Sequence, residues 1–273
     1  MIASRWTARC WAALLALGLA LPASPACQGT DPGETPEPVE RPAAVGAGGR
    51  VLLVGNSLTA GNDLAGMLEA LADSAGLDWQ VAAEVAGGAS LEDLWAGTTT
   101  RELIRDGRWD AVVLQQGPSA LPASRAHLRH WAGVFDEAIR EAGARTGLYM
   151  VWPDLVRPGD FDRVRDSYAL AAADVGGWFL PAGESWRAAW RRDPAAALYG
   201  LDGFHPTPEG TYLAALTLFA GLSDRTPVGL PATLSAQSGG TLVSVPPPLV
   251  DLLQAAAAEA VAQYRDYRPE DRP

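Results

Sequence analysis

The sequence predicts an α/β fold, a three-layer α/β/α sandwich with a mainly parallel five-stranded sheet between helices. Three observations predict it. Short apolar runs, suited to strands buried on both faces, alternate with longer segments of helical periodicity. The runs are closed by glycine, proline or glutamine. No internal repeat interrupts the alternation, so one parallel sheet covered on both faces accounts for the pattern.

The elements follow in order. Val51-Leu52-Leu53-Val54 is a continuous apolar run ending at Gly55, the first strand. Residues 63–75 carry Leu64, Met67, Leu68 and Leu71 on one helical face. Residues 79–85 form the second strand and 109–114 the third. Residues 124–142 place Leu128, Trp131, Phe135, Ala138 and Ile139 at helical spacing. Residues 147–152 are the fourth strand, stopped by Pro153, and 161–175 a helix. Residues 178–180 are the short fifth strand, stopped by Pro181. Helices are expected over 208–221 and 247–264, with 225–245 as a long surface connection.

The N-terminal part reads differently. Residues 1–26 have the form of an export signal: Arg5 and Arg9, an apolar run from Leu14 to Leu21, then small residues. That run is too short for a convincing membrane span. Cys27 follows directly, and after cleavage it would be the only cysteine. An odd cysteine in an exported chain has two readings, a lipidation site or a free thiol. Residues 27–49 are rich in Pro, Gly and acid and read as a flexible tether. A tether behind an anchor favours lipidation of Cys27, although Ser24 stands where a lipobox usually has leucine. The domain proper is then 50–273, long enough for a full core.

The net charge of −11 argues against nucleic acid and against an anionic membrane as partners. A membrane enters only through the lipid anchor. All 21 basic residues are arginine, which removes lysine-based chemistry from consideration.

In parallel sheets of this kind ligands bind at the carboxyl ends of the strands. Gly55-Asn56-Ser57-Leu58-Thr59 follows the first strand and puts Ser57 on a strand-to-helix turn. Alone, such a serine is an ordinary turn or capping residue. Gly87-Gly88-Ala89-Ser90 follows the second strand, and Gln115-Gln116-Gly117-Pro118-Ser119 the third. A primary amide in that place is a good oxyanion donor. Near the end of the fold, Asp202 and His205 lie three residues apart on one loop, ahead of Pro206. An aspartate fixing one ring nitrogen leaves the other free to take a serine proton. Thr207 and Pro208 then begin a helix. His127 and His130, spaced i, i+3, have no carboxylate-rich partner motif and read as a solvated face.

Together these segments resemble the SGNH hydrolase superfamily, the GDSL-like esterases and lipases, over nearly all of 50–221. GNSLT at 55–59 looks like its first block, GGAS at 87–90 its second and DGFHP at 202–206 its fifth. The resemblance implies a flavodoxin-like sheet, Ser57 as nucleophile, His205 as base and Asp202 as its orienting partner. It also implies an oxyanion hole built from the N–H groups of Ser57 and Gly88. The third block departs from the family's GxND. The only asparagines are Asn56 and Asn62, so a glutamine must replace the usual asparagine, Gln116 or Gln115. Alternation of side chains should turn only one of the two inward. The longer string GNSLTAGNDL also resembles a bacterial subgroup with an Asn-Asp pair behind the nucleophile.

The expected activity is hydrolysis of carboxylic esters through an acyl-enzyme, with no metal and no cofactor. A short acyl group, such as the O-acetyl of a carbohydrate, is the expected substrate, and Trp95 and Trp152 near strand ends are candidates for stacking on sugars. Two rivals use the same fold: a non-catalytic glycan-binding surface lipoprotein, and an acyltransferase with the same triad. The sequence leaves the oligomeric state open.

Overall fold

The computed structural model describes residues 42–270. The segments expected as signal and lipidation site, 1–26 and Cys27, lie outside the described residues.

The core is a five-stranded, wholly parallel sheet in the order β2-β1-β3-β4-β5, comprising β1 Arg50–Gly55, β2 Gln80–Val85, β3 Ala111–Leu114, β4 Arg145–Tyr149 and β5 Trp178–Leu180. β1 and β3 are central, so Val51 to Val54 and Ala111 to Leu114 are buried throughout. That burial explains why both read as unbroken apolar runs. β2 is an edge strand whose residues are partly or fully exposed. The β1 to β2 connection runs one way from the centre and β3 to β5 the other. The chain therefore switches direction between β1 and β3, and a crevice opens at their carboxyl ends.

Helices cover both faces. α1 (Ser57–Ala60) and a 3-10 turn at Gly61–Asp63 lead into α2 (Leu64–Ser74). α3 (Leu91–Ala96), α4 (Thr98–Asp106), α5 (Pro122–Glu141) and α6 (Phe161–Asp174) pack in succession. α7 (Ala182–Arg192), α8 (Pro208–Ser223) and α9 (Pro247–Tyr264) pack on one another, and α2 packs on α8. α8 is buried nearly all round, because α2, α7, α9 and the sheet surround it.

Three expectations change. The domain begins before residue 50. Val45 is buried in the core, its N–H donates to Leu222 O (2.8 Å), and Gly46 O accepts from Trp79 Nε1 (2.8 Å). Residues 42–49 are thus packed chain rather than flexible tether. The connection at 225–245 contains a small antiparallel hairpin, β6 (Thr233–Ser235) with β7 (Thr241–Ser244), and Leu234 and Val243 are buried under it. Trp152 is not a surface platform for sugars. It is fully buried and stacks on Trp186 with ring centroids 3.6 Å apart. Trp95 is half-buried against the edge of Phe135.

Candidate active site

β1 ends at Gly55, where any side chain would collide with Gln115 Oε1 and Thr59 Oγ1. The chain then turns sharply into α1. Asn56 holds the capping position: its Oδ1 accepts from Leu58 N (3.1 Å) and its Nδ2 donates to Ala89 O (3.2 Å). The capping work that a turn serine commonly does therefore falls to Asn56, and the Ser57 hydroxyl is left half-exposed and available.

His205 reaches that hydroxyl from the far end of the chain. Ser57 Oγ and His205 Nε2 are 2.9 Å apart, and His205 Nδ1 lies 2.6 Å from Asp202 Oδ2. Asp202 is held as a carboxylate. The hydrogen bond from the His205 ring, followed by those from the Phe204 and His205 backbone N–H groups, lowers its pKa to about 2. A carboxylate only accepts, so Nδ1 carries the proton and Nε2 accepts from Ser57. The Asp202 and His205 side chains are about half exposed, so the pair faces open solvent.

The loop that carries them is anchored at several points. Gly200 N donates to His205 O (2.7 Å), Leu155 N to Gly203 O (2.9 Å) and Trp152 Nε1 to Phe204 O (3.0 Å). The buried Trp152 thus supports the His205 loop from below. Gly203 takes a left-handed φ of +70°, which lets the loop turn back within three residues. Thr207 then caps α8 by accepting from Gly210 N (3.0 Å).

The two glutamines are both buried, against the alternation expected of them. β3 stops at Leu114, so neither lies within the pleat. Gln115 is a structural brace. Its Oε1 accepts from Asn56 N (2.9 Å) and Thr59 Oγ1 (2.7 Å), and its Nε2 donates to Gln116 O. It holds the turn that carries Ser57 from beneath. Gln116 Oε1 accepts from Leu91 N (3.3 Å), at the start of α3 just after the Gly87-Gly88 turn. One hydrogen of its Nε2 goes to Ser119 Oγ (3.0 Å). Tyr168, buried, binds the Gln116 backbone on both sides, accepting from N (3.1 Å) and donating to O (2.6 Å). Burial raises the Tyr168 phenol pKa and keeps it protonated as a donor. Gly88 has φ +70° with open space where a Cβ would be, so its backbone is uncovered.

Sequence reasoning missed Asn56 as the cap, Gln115 as the brace and Tyr168 as the clamp. The asparagine ahead of Ser57 was the one local signal, since Asn is a favoured N-cap. Tyr168 approaches from α6, 52 residues away, and leaves no local trace. His127 pairs with Glu92 (3.0 Å) on the surface. Among the described residues no group of three or more His, Cys, Asp or Glu is placed to hold a metal ion.

No protein-family model matches the sequence, and no curated protein does. Solved structures do match. A chain from Slackia heliotrinireducens assigned to the SGNH hydrolases is 32% identical, with 63% of this chain and 98% of that one covered and a TM-score of 0.54. A DUF4886 family protein from Bacteroides uniformis is 20% identical, covering 82% and 98% of the two chains with a TM-score of 0.66. TesA is 18% identical, covering 64% and 98%, with a TM-score of 0.52. The latter two share the fold. The first shares a third of its residues over almost its whole length, and on that ground this chain belongs to the SGNH hydrolase superfamily.

Proposed function

We propose that the protein is an exported serine esterase that cleaves carboxylic esters through an acyl-enzyme on Ser57. The observation that carries this is the unbroken hydrogen-bond chain Ser57–His205–Asp202, with spacings of 2.9 and 2.6 Å. Ser57 Oγ attacks the acyl carbon as its proton passes to His205 Nε2. The resulting oxyanion lies among the N–H groups of Ser57 and Gly88 and the free amide hydrogen of Gln116. Collapse breaks the bond to the alcohol oxygen, which takes the proton from His205. Water then attacks the acyl-serine, giving its proton to the same nitrogen, and the second collapse releases the acid and restores Ser57. Asp202 stays ionised throughout and stabilises the imidazolium.

A short acyl group suits the surroundings. A pocket of about 300 Å³ lies beside the His205 loop, lined by Pro118, Leu121, Pro153 and Phe204 together with Asp154 and Arg157. Its apolar wall fits a short acyl chain and its polar residues fit a polyhydroxy alcohol, such as an O-acetylated sugar. Export, with Cys27 as lipid anchor, completes the reading.

The test is turnover of p-nitrophenyl esters from acetyl to decanoyl and of acetylated xylose. The purified protein should prefer acetyl. Ser57→Ala should lose at least ~10⁴-fold in kcat/KM. Equal inertness of both proteins across the panel would sink the esterase reading.

A further inference from the structure

Ser57 and His205 are 148 residues apart and ride on different elements. The hydrogen bond between them is the reacting contact. It is lost each time Ser57 is acylated, so it cannot keep the two segments in register. Something else must hold the His205 loop against the nucleophile turn while the acyl group is in place.

Among the described residues, one side chain makes hydrogen bonds between the two segments outside that contact. Asn62 lies five residues beyond Ser57 in the Gly61–Asp63 turn, with left-handed backbone (φ 53°, ψ 25°). Its Nδ2 spends both hydrogens on the histidine side: one on Pro206 O (3.0 Å), the other on Thr211 Oγ1 (2.9 Å) in α8. Gly61 lies under the Pro206 ring, with Cγ 3.6 Å from where a Cβ would stand. The peptide groups around His205 are otherwise held from within their own loop and from the chain beyond β4. His205 N donates to Asp202 Oδ1 (3.0 Å), His205 O accepts from Gly200 N (2.7 Å), and Phe204 O and Gly203 O accept from Trp152 Nε1 and Leu155 N. Those bonds shape the loop and tie it to the segment after β4, but none of them reaches the turn that carries Ser57.

We propose that Asn62 is a positioning residue that fixes the His205 loop to the nucleophile turn and preserves the Ser57–His205 geometry through the acyl-enzyme stage. It touches neither substrate nor reacting atoms. The residue type follows from two demands. The position needs a left-handed backbone, which Asn tolerates better than most residues, and it needs two donors on one atom. The proposal rests on the triad reading given above. A displacement of about 1 Å between nucleophile and base is enough to cost ~10²-fold in rate.

The experiment compares full-length wild type with Asn62→Gly and Asn62→Asp. Glycine keeps the backbone conformation and removes the donors. Aspartate keeps shape and backbone but turns an oxygen toward the Pro206 carbonyl. Both should lower kcat by ~10- to 100-fold, with KM changed less than about threefold and Tm within about 3 °C. Thr211→Val removes only one acceptor and should fall less. A second readout needs no turnover: the downfield proton NMR signal of His205 Nδ1–H, which should be sharp in wild type and broadened in both Asn62 variants. Unchanged kcat with an unchanged signal would overturn the proposal, as would a loss of rate that merely tracks a large loss of Tm. Ser57→Ala, run alongside, separates the two claims. If it is no worse than wild type, the esterase reading fails, and the His205 signal alone still decides for or against Asn62.

Discussion

At the scale of single residues, the site turns on what two adjacent glutamines do. Gln115 is fully buried with its amide spent on Asn56, Thr59 and the Gln116 carbonyl. Gln116 is bound at its oxygen and at one amide hydrogen, and the proposed mechanism assigns the other to the oxyanion. The two should therefore separate on mutation. Gln116→Ala also strands the Leu91 N–H, but where the variant is still folded it should cut kcat by ~10²–10³-fold, the usual loss for one oxyanion donor. Gln115→Ala should instead leave a buried N–H and hydroxyl without their acceptor and cost about 1–3 kcal/mol in a denaturant titration. The reverse pattern would exchange their roles. Asp202 sets the pH behaviour. Its pKa is lowered from the ordinary 3.8 to about 2, so the carboxylate form is favoured in the fold. Its contribution to stability is complete above pH 3.8 and is lost as the pH falls through about 2. Over any working range it stays charged, so the acid limb of kcat/KM should fall with a slope of one proton. A slope of two would mean that Asp202 titrates in that range as well. The meeting of Ser57, Asp202 and His205 is legible in the sequence because each sits at a strand end or on one short loop. The choice between Gln115 and Gln116 was not, because alternation applies inside a strand and β3 has already ended.

At the scale of elements, legibility follows burial. β1 and β3, covered on both faces, announce themselves as apolar runs, and α2 and α5 show a single apolar stripe over several turns. The elements that escaped are short or weakly patterned. α3 spans six residues and signals itself only by its cap: Ser90 Oγ accepts from Asp93 N, and the Asp93 carboxylate accepts from Ser90 N (2.9 Å). That box begins directly after Gly87-Gly88, where the sequence reads most simply as a turn. α7 is punctuated by arginines, and its buried residues are mostly alanine, glycine and serine around Trp186. Its buried face is set cleanly apart from the arginines, but small residues make it and few large apolar side chains mark it. The hairpin of β6 and β7 buries just Leu234 and Val243, too few residues to establish a period of two. The same logic accounts for Trp152. A tryptophan just past a strand end looks like a ligand platform, but the stack on Trp186 and the bond to Phe204 O place it under the His205 loop.

At the scale of the whole molecule, the boundary of the folded unit is where composition misleads. Residues 27–49 share one Pro, Gly and acid-rich character, yet the chain from 42 onward is part of the domain. One valine makes the difference. Val45 fills a core position beside α8, and the turn after it supplies acceptors and donors that the edge of the sheet needs: Gly46 O for Trp79 Nε1, Gly49 O for Gln80 N and Gly48 N for Leu77 O. A composition window averages over Val45 and sees only linker. A chain starting at Arg50 should therefore be less stable than one starting at Pro42. Burial of a valine is worth about 1.5–3 kcal/mol, and stranding the buried Trp79 N–H adds about 1–3 kcal/mol. With roughly 3–5 kcal/mol lost overall, Tm should drop by about 10 °C in a domain of this size. The deficit should fall on folding and leave chemistry alone, because none of residues 42–49 bonds to Ser57, Asp202 or His205. At a temperature where both chains are folded, their kcat values on an acetyl ester should agree. Equal Tm values would return 42–49 to the tether, and a loss of kcat at matched folding would mean that this segment reaches the active site.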